Sequence, residues 1–493
     1  MNYLIPLMVV IPILAALIVN ILGGKDKTVK AFSIIVGLAI PIIAILAAIG
    51  VQYFGGHDPG LLANSLPSNL VGTLVASYNT GIVYIFDNIE RIFIFLMGIV
   101  AFLSIFTYFT EKKEVSGPYL YLIFMGLASV IALLLSNDIF NMYVFFEITA
   151  LTQVGIIVAS STEDNYEIAF KYLILGSIGG PMLLLGVGFV LGTIGSVNIT
   201  DIIYAISNNF VDPYSPGLVI GFALILFGWL YSAGLPPFHT IKSAVYSKAR
   251  PNGSAILQGF SVLCMLAFGI AMYKIFAYIP GFNTAIIVFA ILAMVLSIAM
   301  SAMEVDFRRM IAFLAVGELG FIALGFGIGT QMSIAAALFQ AANEIVITAM
   351  LFIGFGSIYY LTNTSDTRKL GGLIGVDSLM GVMILLGGCA LAGVPPFNGF
   401  VSKLMLVQAA LEAGYTELAI LAVIVSVVIF FTFVKAFHSV FLEPKPKDLK
   451  FVNEKIPRVT VFSVAVLLII CLALGLFPNI VTDVFIPFAG GLI

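Results

Sequence analysis

Charged residues are scarce in this 493-residue chain: aspartate, glutamate, lysine and arginine together make up only 10% of it. Apolar residues make up 61%, far more than the polar remainder of a soluble domain could cover. The shortage of charge therefore excludes a soluble globular protein and predicts an all-α polytopic protein of the cell membrane. The formal net charge is only −3 and no basic tract occurs, so nothing indicates nucleic-acid binding.

Cysteine is also rare. Cys264, Cys389 and Cys471 each lie in an apolar run without metal-ligand spacing, which favours small core residues. The sequence has no cysteine cluster, no haem-ligand pair and no nucleotide-binding loop. We therefore expect no cofactor, no metal and no catalytic residue in this chain, and any oxidoreductase chemistry is expected to belong to partner subunits.

Long apolar runs are what the sequence has in abundance. Fourteen of them have the length that a transmembrane helix requires, so the sequence predicts fourteen spans. They lie at roughly 3–22, 31–50, 89–110, 118–135, 138–159, 166–193, 216–238, 252–279, 283–303, 308–329, 332–361, 378–410, 415–440 and 459–480.

The cations divide the connections between spans into two sets. Most lysines and arginines lie in or beside odd-numbered connections, whereas even-numbered connections such as 57–80, 198–216 and 280–283 have none. By the positive-inside rule the odd connections are cytoplasmic, so both termini are expected outside. Arg91 and Lys274 are the exceptions. The cations assigned to odd-numbered connections are Lys25, Lys27, Lys30, Lys112, Lys113, Lys242, Lys248, Arg250, Arg308, Arg309, Arg368, Lys369, Lys445, Lys447, Lys450, Lys455 and Arg458.

One carboxylate lies inside an apolar helix. Glu147 is nine positions past Asp138, which at about 1.5 Å per helical residue is roughly 14 Å, near the middle of a hydrocarbon core about 30 Å thick. A carboxylate at that depth is costly unless it faces protein, water or a cation. Glu147 therefore indicates either an ion path or a neutral, hydrogen-bonded glutamate that holds two helices together.

Two matching Pro-Pro pairs interrupt the apolar runs. Pro236-Pro237 and Pro395-Pro396 each lie in a Gly-x-Pro-Pro-Phe motif, and the two motifs are 159 residues apart. A Pro-Pro pair removes two backbone donors, so helices 7 and 12 are expected to break there. Matched breaks in two halves are typical of the ion region of a transporter built from repeats. The alternative is a pair of unrelated helix kinks.

The spacing of the breaks fits a repeat of five helices, spans 4–8 against spans 9–13. Because five is odd, the second copy enters from the opposite side, so the repeats are expected to be inverted. Glu318 lies nine residues after Arg309, as Glu147 lies nine after Asp138, and both acids are expected at the midplane. The resulting units are 1–110 (spans 1–3), 118–279 (first repeat), 283–440 (second repeat) and 459–493 (last span and C-terminus).

Acids and bases alternate along the predicted middle of the protein, which is a plausible arrangement for a hydrated proton or ion relay. For Lys171 an alternative is a side chain that extends to the nearby membrane surface. His239 either transfers protons or ties the broken segment together by hydrogen bonds, while Lys435 and His438 lie near helix ends. The candidates for the pathway are Glu147, Lys171, His239, Glu318, Glu344 and Lys403.

Five segments occur in a characteristic order, namely 136–149, 167–177, 235–240, 306–313 and 393–403. Together they resemble the antiporter-like subunits shared by respiratory complex I, Mrp sodium/proton antiporters, and archaeal membrane-bound hydrogenases and sulfur-reducing complexes. The resemblance implies fourteen helices, two inverted five-helix repeats with broken helices 7 and 12, and a central polar axis that moves protons or sodium. The chain stops soon after span 14, so we expect the type of the D subunits of Mrp antiporters and the M and N subunits of complex I.

The family's functional residues match only in part. Glu147 matches its span 5 glutamate and Lys403 its span 12 lysine. Glu318 stands where a histidine or glutamine is usual, and Glu344 stands where a histidine is usual. The family lysines of spans 7, 8 and 11 would fall on Ser232, on Leu263 or Cys264, and on Thr348.

These replacements lead to a hypothesis about mechanism. Without a span 7 lysine Glu147 loses its cationic partner, so the first half-channel is expected to be impaired while the second half conducts protons or sodium or contributes scaffolding. Two alternatives are a non-conducting scaffold subunit and a stand-alone secondary transporter. The resemblance implies as partners other membrane subunits, namely a second antiporter-like subunit and small Mrp-type subunits, together with a peripheral redox arm.

Overall fold

The computed structural model describes residues 4–22, 26–47, 52–54, 82–111, 116–159 and 163–493. Within these ranges the chain is mostly helical, and its two three-residue strands, β1 (Gln52–Phe54) and β2 (Tyr84–Phe86), form an antiparallel pair. Lys25, Lys112, Lys113 and the predicted connection 57–80 lie outside the described residues.

Eighteen α-helices follow one another in the described ranges, most of them long and apolar. The first nine are α1 (Leu4–Leu22), α2 (Asp26–Leu46), α3 (Asn88–Glu111), α4 (Gly117–Leu135), α5 (Ile139–Val158), α6 (Glu163–Ile194), α7 (Ile199–Ser207), α8 (Pro216–Ala233) and α9 (His239–Lys248). The others are α10 (Pro251–Phe276), α11 (Phe282–Met303), α12 (Phe307–Ile328), α13 (Gln331–Thr362), α14 (Ser378–Ala392), α15 (Asn398–Glu412), α16 (Thr416–Phe437), α17 (Arg458–Leu476) and α18 (Asn479–Gly490).

Thirteen helices of the described residues are long and apolar enough to cross a membrane. The predicted span 378–410 instead consists of two shorter helices, α14 and α15, and the predicted span 216–238 ends as α8 before the separate helix α9. If α14 and α15 together cross once, the total is the predicted fourteen, and that count stays a prediction.

Three helices form the centre of the protein. α10 and α12 are buried along their whole apolar length and α13 almost so, whereas α1, α2, α6, α11, α16 and α17 each leave one side exposed. The exposed sides carry large apolar residues such as Leu185 on α6, Val295 on α11 and Ile424 on α16. Such contiguous apolar faces suit lipid or a partner helix rather than water.

The two helix breaks have the same backbone geometry. α8 ends at Gly234 (φ +73°) and α14 ends at Gly393 (φ +80°), and both glycines adopt the left-handed conformation that L side chains rarely adopt. In each case the N–H of the residue after the glycine donates to the carbonyl five residues earlier. Leu235 donates to Leu230 and Val394 donates to Cys389, both at 2.9 Å. This is the Schellman arrangement, and its repetition supports the predicted pair of broken helices.

The starts of α5 and α12 also correspond. Asp138 and Asp306 cap these helices by accepting backbone N–H groups, and each forms an isolated antiparallel bridge to a residue 60 positions later, Asn198 and Asp366 respectively. The second pair is related to the first by a shift of 168 positions. The helix starts thus recur after 168 positions and the Pro-Pro breaks after 159, and the division into two five-helix repeats stays a prediction.

This register corrects one expectation. Glu147 lies nine residues after its cap Asp138, but Glu318 lies twelve residues after the equivalent cap Asp306. The assumed equivalence of the two acids is wrong by three residues, nearly one helical turn, because Arg309 is inside α12 and does not mark its start. Glu318 thus lies deeper in its helix than Glu147.

Gly475 offers a test of the packing around the second break. A Cβ there would lie 2.6 Å from the backbone carbon of Phe397 and 2.7 Å from the nitrogen of Asn398, and neither backbone atom can move freely. We expect Gly475→Ala to destabilise the protein by about 1–3 kcal/mol through overpacking, measured as a lower Tm of the detergent-solubilised protein.

Gly188 on α6 is the matched control, because a Cβ there meets no atom within 4 Å. Gly188→Ala is expected to leave Tm unchanged or slightly raised, since it adds helix propensity without a clash. Equal Tm values for the two variants would contradict the described packing of α17 against the break.

Candidate functional site

A buried ion pair lies where α12 meets α15. Lys403 Nζ is 2.7 Å from Glu318 Oε1, and the two side chains are 8% and 0% exposed. Lys403 also donates to the backbone carbonyl of Leu391 at 2.7 Å, near the end of α14. The last carbonyls of a helix have no partner within it, so the broken helix supplies an acceptor that an uninterrupted helix would not.

Amide and hydroxyl groups satisfy the rest of this pair. Gln340 Nε2 donates to Glu318 Oε2 at 2.7 Å, and Ser402 Oγ donates to Gln340 Oε1 at 2.6 Å. Asn343 Nδ2 donates to Ser402 Oγ at 2.9 Å, and Asn398 Nδ2 donates to Asn343 Oδ1 at 2.7 Å. A buried charge pair is tolerated only when its remaining hydrogen-bonding capacity is used, and this network on α13 and α15 uses it.

The second acid, Glu344, lies one helical turn from Gln340 on the same face of α13. Its Oε1 accepts from Gln258 Nε2 of α10 at 3.0 Å, and both residues are fully buried. The contact joins α13, in the predicted second repeat, to α10, the last helix of the predicted first repeat. Glu344 therefore lies at the junction of the two halves.

The first half contains a buried lysine whose predicted location is wrong. Lys242 was predicted in a cytoplasmic connection, yet it lies in α9, is only 1% exposed, and donates to Gln153 Oε1, Tyr172 OH and Ser261 Oγ at 2.9, 2.9 and 3.0 Å. Its stem packs directly on Gly234 at the first break. The prediction failed because α9 continues into the protein interior after the break.

The two lysines are related by position as well as burial. Lys242 lies eight residues after the left-handed Gly234, and Lys403 lies ten residues after the left-handed Gly393. A Cβ on Gly393 would lie 3.0 Å from Lys403 Cδ, so this lysine also folds back over its break. Each repeat thus places one buried lysine beside its broken helix, although the two positions differ by two residues.

The positions of the absent family lysines play no part in this arrangement. Ser232 is buried and bonds its own helix through the Trp229 carbonyl at 2.8 Å, and Thr348 bonds the Glu344 carbonyl. Leu263 and Cys264 are buried in the apolar core of α10. On that helix Gln258 and Ser261, three residues apart, present polar groups on one face instead.

Three predicted pathway residues lie apart from this network. Glu147 is half-buried against Gly180 of α6 and has no ion pair or hydrogen bond within the part of the chain that the structure describes. Lys171 is 58% exposed and pairs with Glu167, four residues earlier on α6. His239, the first residue of α9, is half-buried. Of the six candidates, the structure brings together Glu318, Glu344 and Lys403.

A line of polar groups therefore runs through the middle of the protein from α9 to α15. Its neutral members and Lys242 were not predicted, although amides within apolar helices are an available signal. Applying the repeat to the lysine after the second break would have pointed to a lysine after the first. In order, the line contains Lys242, Ser261, Gln258, Glu344, Gln340, Glu318 and Lys403.

Buried acids and lysines along the centre of a polytopic helical protein are typical of membrane proteins that move ions. Residues 136–430 match the family model described as "NADH:quinone oxidoreductase/Mrp antiporter, TM". The chain belongs to this family.

Relatives and solved structures agree with that assignment. The chain is 34% identical to an uncharacterized protein of Methanocaldococcus jannaschii, over 98% of this chain and 97% of the relative. It is 28% identical to the D subunit of a Na(+)/H(+) antiporter of Alkalihalophilus pseudofirmus, over 73% of each chain.

Two solved structures share the fold along almost the whole chain. A chain of the archaeal membrane-bound sulfane sulfur reductase, a respiratory complex, matches with a TM-score of 0.83 and 25% identity over 99% of this chain and 97% of that one. A chain of the Mrp complex from Dietzia sp. matches with a TM-score of 0.85 and 20% identity over the same shares. The protein is thus an antiporter-like membrane subunit of the type found in Mrp and complex I-like assemblies.

The burial of Lys242 can be tested by amine modification. We expect an amine-acylating reagent to leave Lys242 and Lys403 unmodified in the folded protein, because both are buried and hydrogen-bonded, and to modify Lys248 at the exposed end of α9. Peptide mass spectrometry measures the extent at each site. Equal modification of Lys242 and Lys248 in the folded protein would mean that α9 does not enter the interior.

Proposed function

We propose that this subunit translocates protons across the cell membrane as part of a multi-subunit complex. The observation that carries the proposal is the Glu318–Lys403 pair, an ion pair buried at the second helix break, with its partner Gln340 one helical turn from Glu344 at the contact with α10. Ionisable groups so deep in the membrane are costly and seldom kept for structure alone.

Protons suit the described groups better than sodium. An ammonium group such as that of Lys403 carries a proton but repels a metal cation, and the line contains a lysine at each end. Between the lysines are two carboxyl groups, which take up and release protons, and amide and hydroxyl groups, which orient donors and acceptors.

The geometry suggests how the pair works. A proton that reaches Glu318 neutralises its carboxylate and removes the attraction that holds Lys403. Lys403 lines a mostly apolar cavity of about 430 Å³ between α15 and α16, so its side chain has space to swing away from Glu318. Once Lys403 has passed its proton onward, transfer of the Glu318 proton to the neutral amine restores the carboxylate–ammonium pair.

The first half lacks the family lysines of spans 7 and 8. We propose that Lys242, held by Gln153, Tyr172 and Ser261, is its proton-carrying group. The hypothesis of an impaired first half-channel started from the absence of a lysine partner, and Lys242 supplies a buried lysine. For Glu147 the hypothesis still applies, because no ion pair to this residue is found in the described ranges.

The proposed surroundings follow from the structural neighbours. Chains of the same fold occur in an Mrp complex and in a respiratory sulfane sulfur reductase, so we propose a second antiporter-like subunit, small Mrp-type subunits and a peripheral redox arm as partners. The exposed apolar faces of α6, α11 and α16 fit contacts with such membrane subunits. From the cation distribution we propose that both termini lie outside.

A non-conducting scaffold is the second candidate function. The observation that favours it is the isolation of Glu147 from the described lysines, which interrupts the family's pattern in the first half. In that case the buried network would fix the helix packing and no ion would pass.

Replacing Lys403 distinguishes these functions. In proteoliposomes of the assembled complex made without sodium, we expect Lys403→Ala to reduce proton translocation per turnover at least several-fold, because Glu318 loses its switchable partner. Proton movement is followed with a pH-sensitive dye. The control is Lys435→Ala on α16, which removes an equal charge from an exposed position and should leave translocation unchanged.

Unchanged translocation in both variants would support the scaffold, provided that the complex assembles to the same extent. Translocation that requires added sodium would replace the proton in this proposal by sodium. Transport of an organic solute by the isolated chain would instead support a stand-alone transporter.

A further inference from the structure

The contact between Glu344 and Gln258 leaves two buried oxygen atoms without a hydrogen-bond partner. Gln258 Nε2 donates to Glu344 Oε1 at 3.0 Å, but Gln258 Oε1 and Glu344 Oε2 have no donor among the described residues. Both residues are fully buried, with an exposure of 0%. Two orphaned acceptors on the two members of one contact indicate a missing hydrogen-bond donor or cation.

The charge of the surroundings indicates what that partner is. The charged groups that act on Glu344 are Glu318 and Lys403, and these two neutralise each other in a 2.7 Å pair. An ionised Glu344 would therefore be a second buried negative charge without a cation of its own. Such a charge is far more costly to bury than a neutral, hydrogen-bonded acid.

The buried lysine of α9 does not supply the missing cation either. Lys242 of α9 directs its three N–H donors to Gln153, Tyr172 and Ser261. A further titratable group that interacts with Glu344 is the phenol of Tyr246, also on α9, which is neutral and fully buried. Apart from Lys403, which is already paired with Glu318, no described group places a positive charge at the Glu344 carboxyl.

We propose that Glu344 is held as a neutral carboxylic acid whose hydroxyl group donates to Gln258 Oε1. The acid and the amide then form a closed pair with two hydrogen bonds. Gln258 Nε2 donates to Glu344 Oε1, and the protonated Glu344 Oε2 donates to Gln258 Oε1, so both orphaned oxygens are satisfied. The site binds one proton, and no covalent bond changes elsewhere.

A proton fits this site better than a metal ion. A sodium ion would need several oxygen ligands, and the contact offers only the two orphaned oxygens. A carboxyl hydrogen needs one acceptor, which Gln258 provides.

The position gives the proton a role that rests on the proposed function. Gln258 does not titrate, and the central positions Leu263 and Cys264 lack the family lysine, so Glu344 is the proton-storing group between Lys242 in the first half and Lys403 in the second. Along α13, Gln340 lies one helical turn from Glu344 and donates a hydrogen bond to Glu318.

Infrared difference spectroscopy of the reconstituted complex at neutral pH tests the protonation state directly. We expect the wild type minus Glu344→Gln spectrum to show the carbonyl band of a protonated carboxyl group, shifted in heavy water. The matched control is Glu318→Gln, which removes an acid that is ionised in its lysine pair and should remove carboxylate bands only.

Two further measurements guard against indirect effects. Glu344→Gln can keep both hydrogen bonds to Gln258, so its Tm should equal that of the wild type, whereas Glu318→Gln should lower Tm because it leaves Lys403 without its anion. Gln258→Leu should retain the carboxyl band at a higher frequency, since the hydroxyl group has lost its acceptor.

Loss of carboxylate bands alone in Glu344→Gln would overturn the inference. So would a carboxyl band that Glu318→Gln removes, or bands that move when sodium replaces potassium. These outcomes are distinct from failure of the proposed function: an ionised Glu344 in a complex that still pumps protons contradicts only this inference, and a protonated Glu344 without pumping contradicts only the function.

Discussion

The structure depends on keeping two opposite charges in an apolar interior, where neither Glu318 nor Lys403 would be stable alone. Their direct contact provides a favourable electrostatic interaction. The desolvation cost of burying both charges would offset this gain if no further hydrogen bonds were made. Gln340 supplies a donor to the acid, and the end of α14 supplies a carbonyl to the lysine. The break in the helix is thus a requirement of the charge pair, because an intact helix has no free carbonyl at that depth.

The same reasoning explains why the two halves are alike at the breaks and different in their charges. Each half ends a helix with a left-handed glycine and folds a lysine back over it, at Gly234 with Lys242 and at Gly393 with Lys403. In the second half the lysine meets a carboxylate, whereas in the first it meets only neutral acceptors. The two repeats therefore share the backbone arrangement that admits a buried lysine and differ in the partner that the lysine meets.

Composition and periodicity were sufficient to predict the fold class, because the apolar length that crosses a membrane is visible in any one segment. The motifs also pointed to Glu318, Glu344 and Lys403, since an isolated charge in an apolar run is conspicuous. Lys242 was misplaced because it lies in a short segment rich in polar residues, and only the three-dimensional path of α9 shows that it turns inward. The amides Gln258 and Gln340 were missed for a related reason: their importance lies in which helix they face, and helix periodicity does not specify the partner.

The absence of a central lysine changes how the halves communicate. A lysine on α10 would place a positive charge between the repeats, but Leu263 and Cys264 occupy those positions and Gln258 contacts Glu344 one to two turns away. The amide of Gln258 carries no charge, so a proton that arrives at the junction changes the net charge there by one unit. Glu344 on α13 is then the group that must bind this proton. The neutral form of Glu344 is then the loaded state of the junction and the ionised form the empty one. In a low-dielectric interior the ionised carboxylate of Glu344 is costly. Release of its proton towards Lys242 or Lys403 therefore requires the positive charge of that lysine to compensate the carboxylate that is left behind. That requirement couples the two halves without any ionisable group on the helix between them.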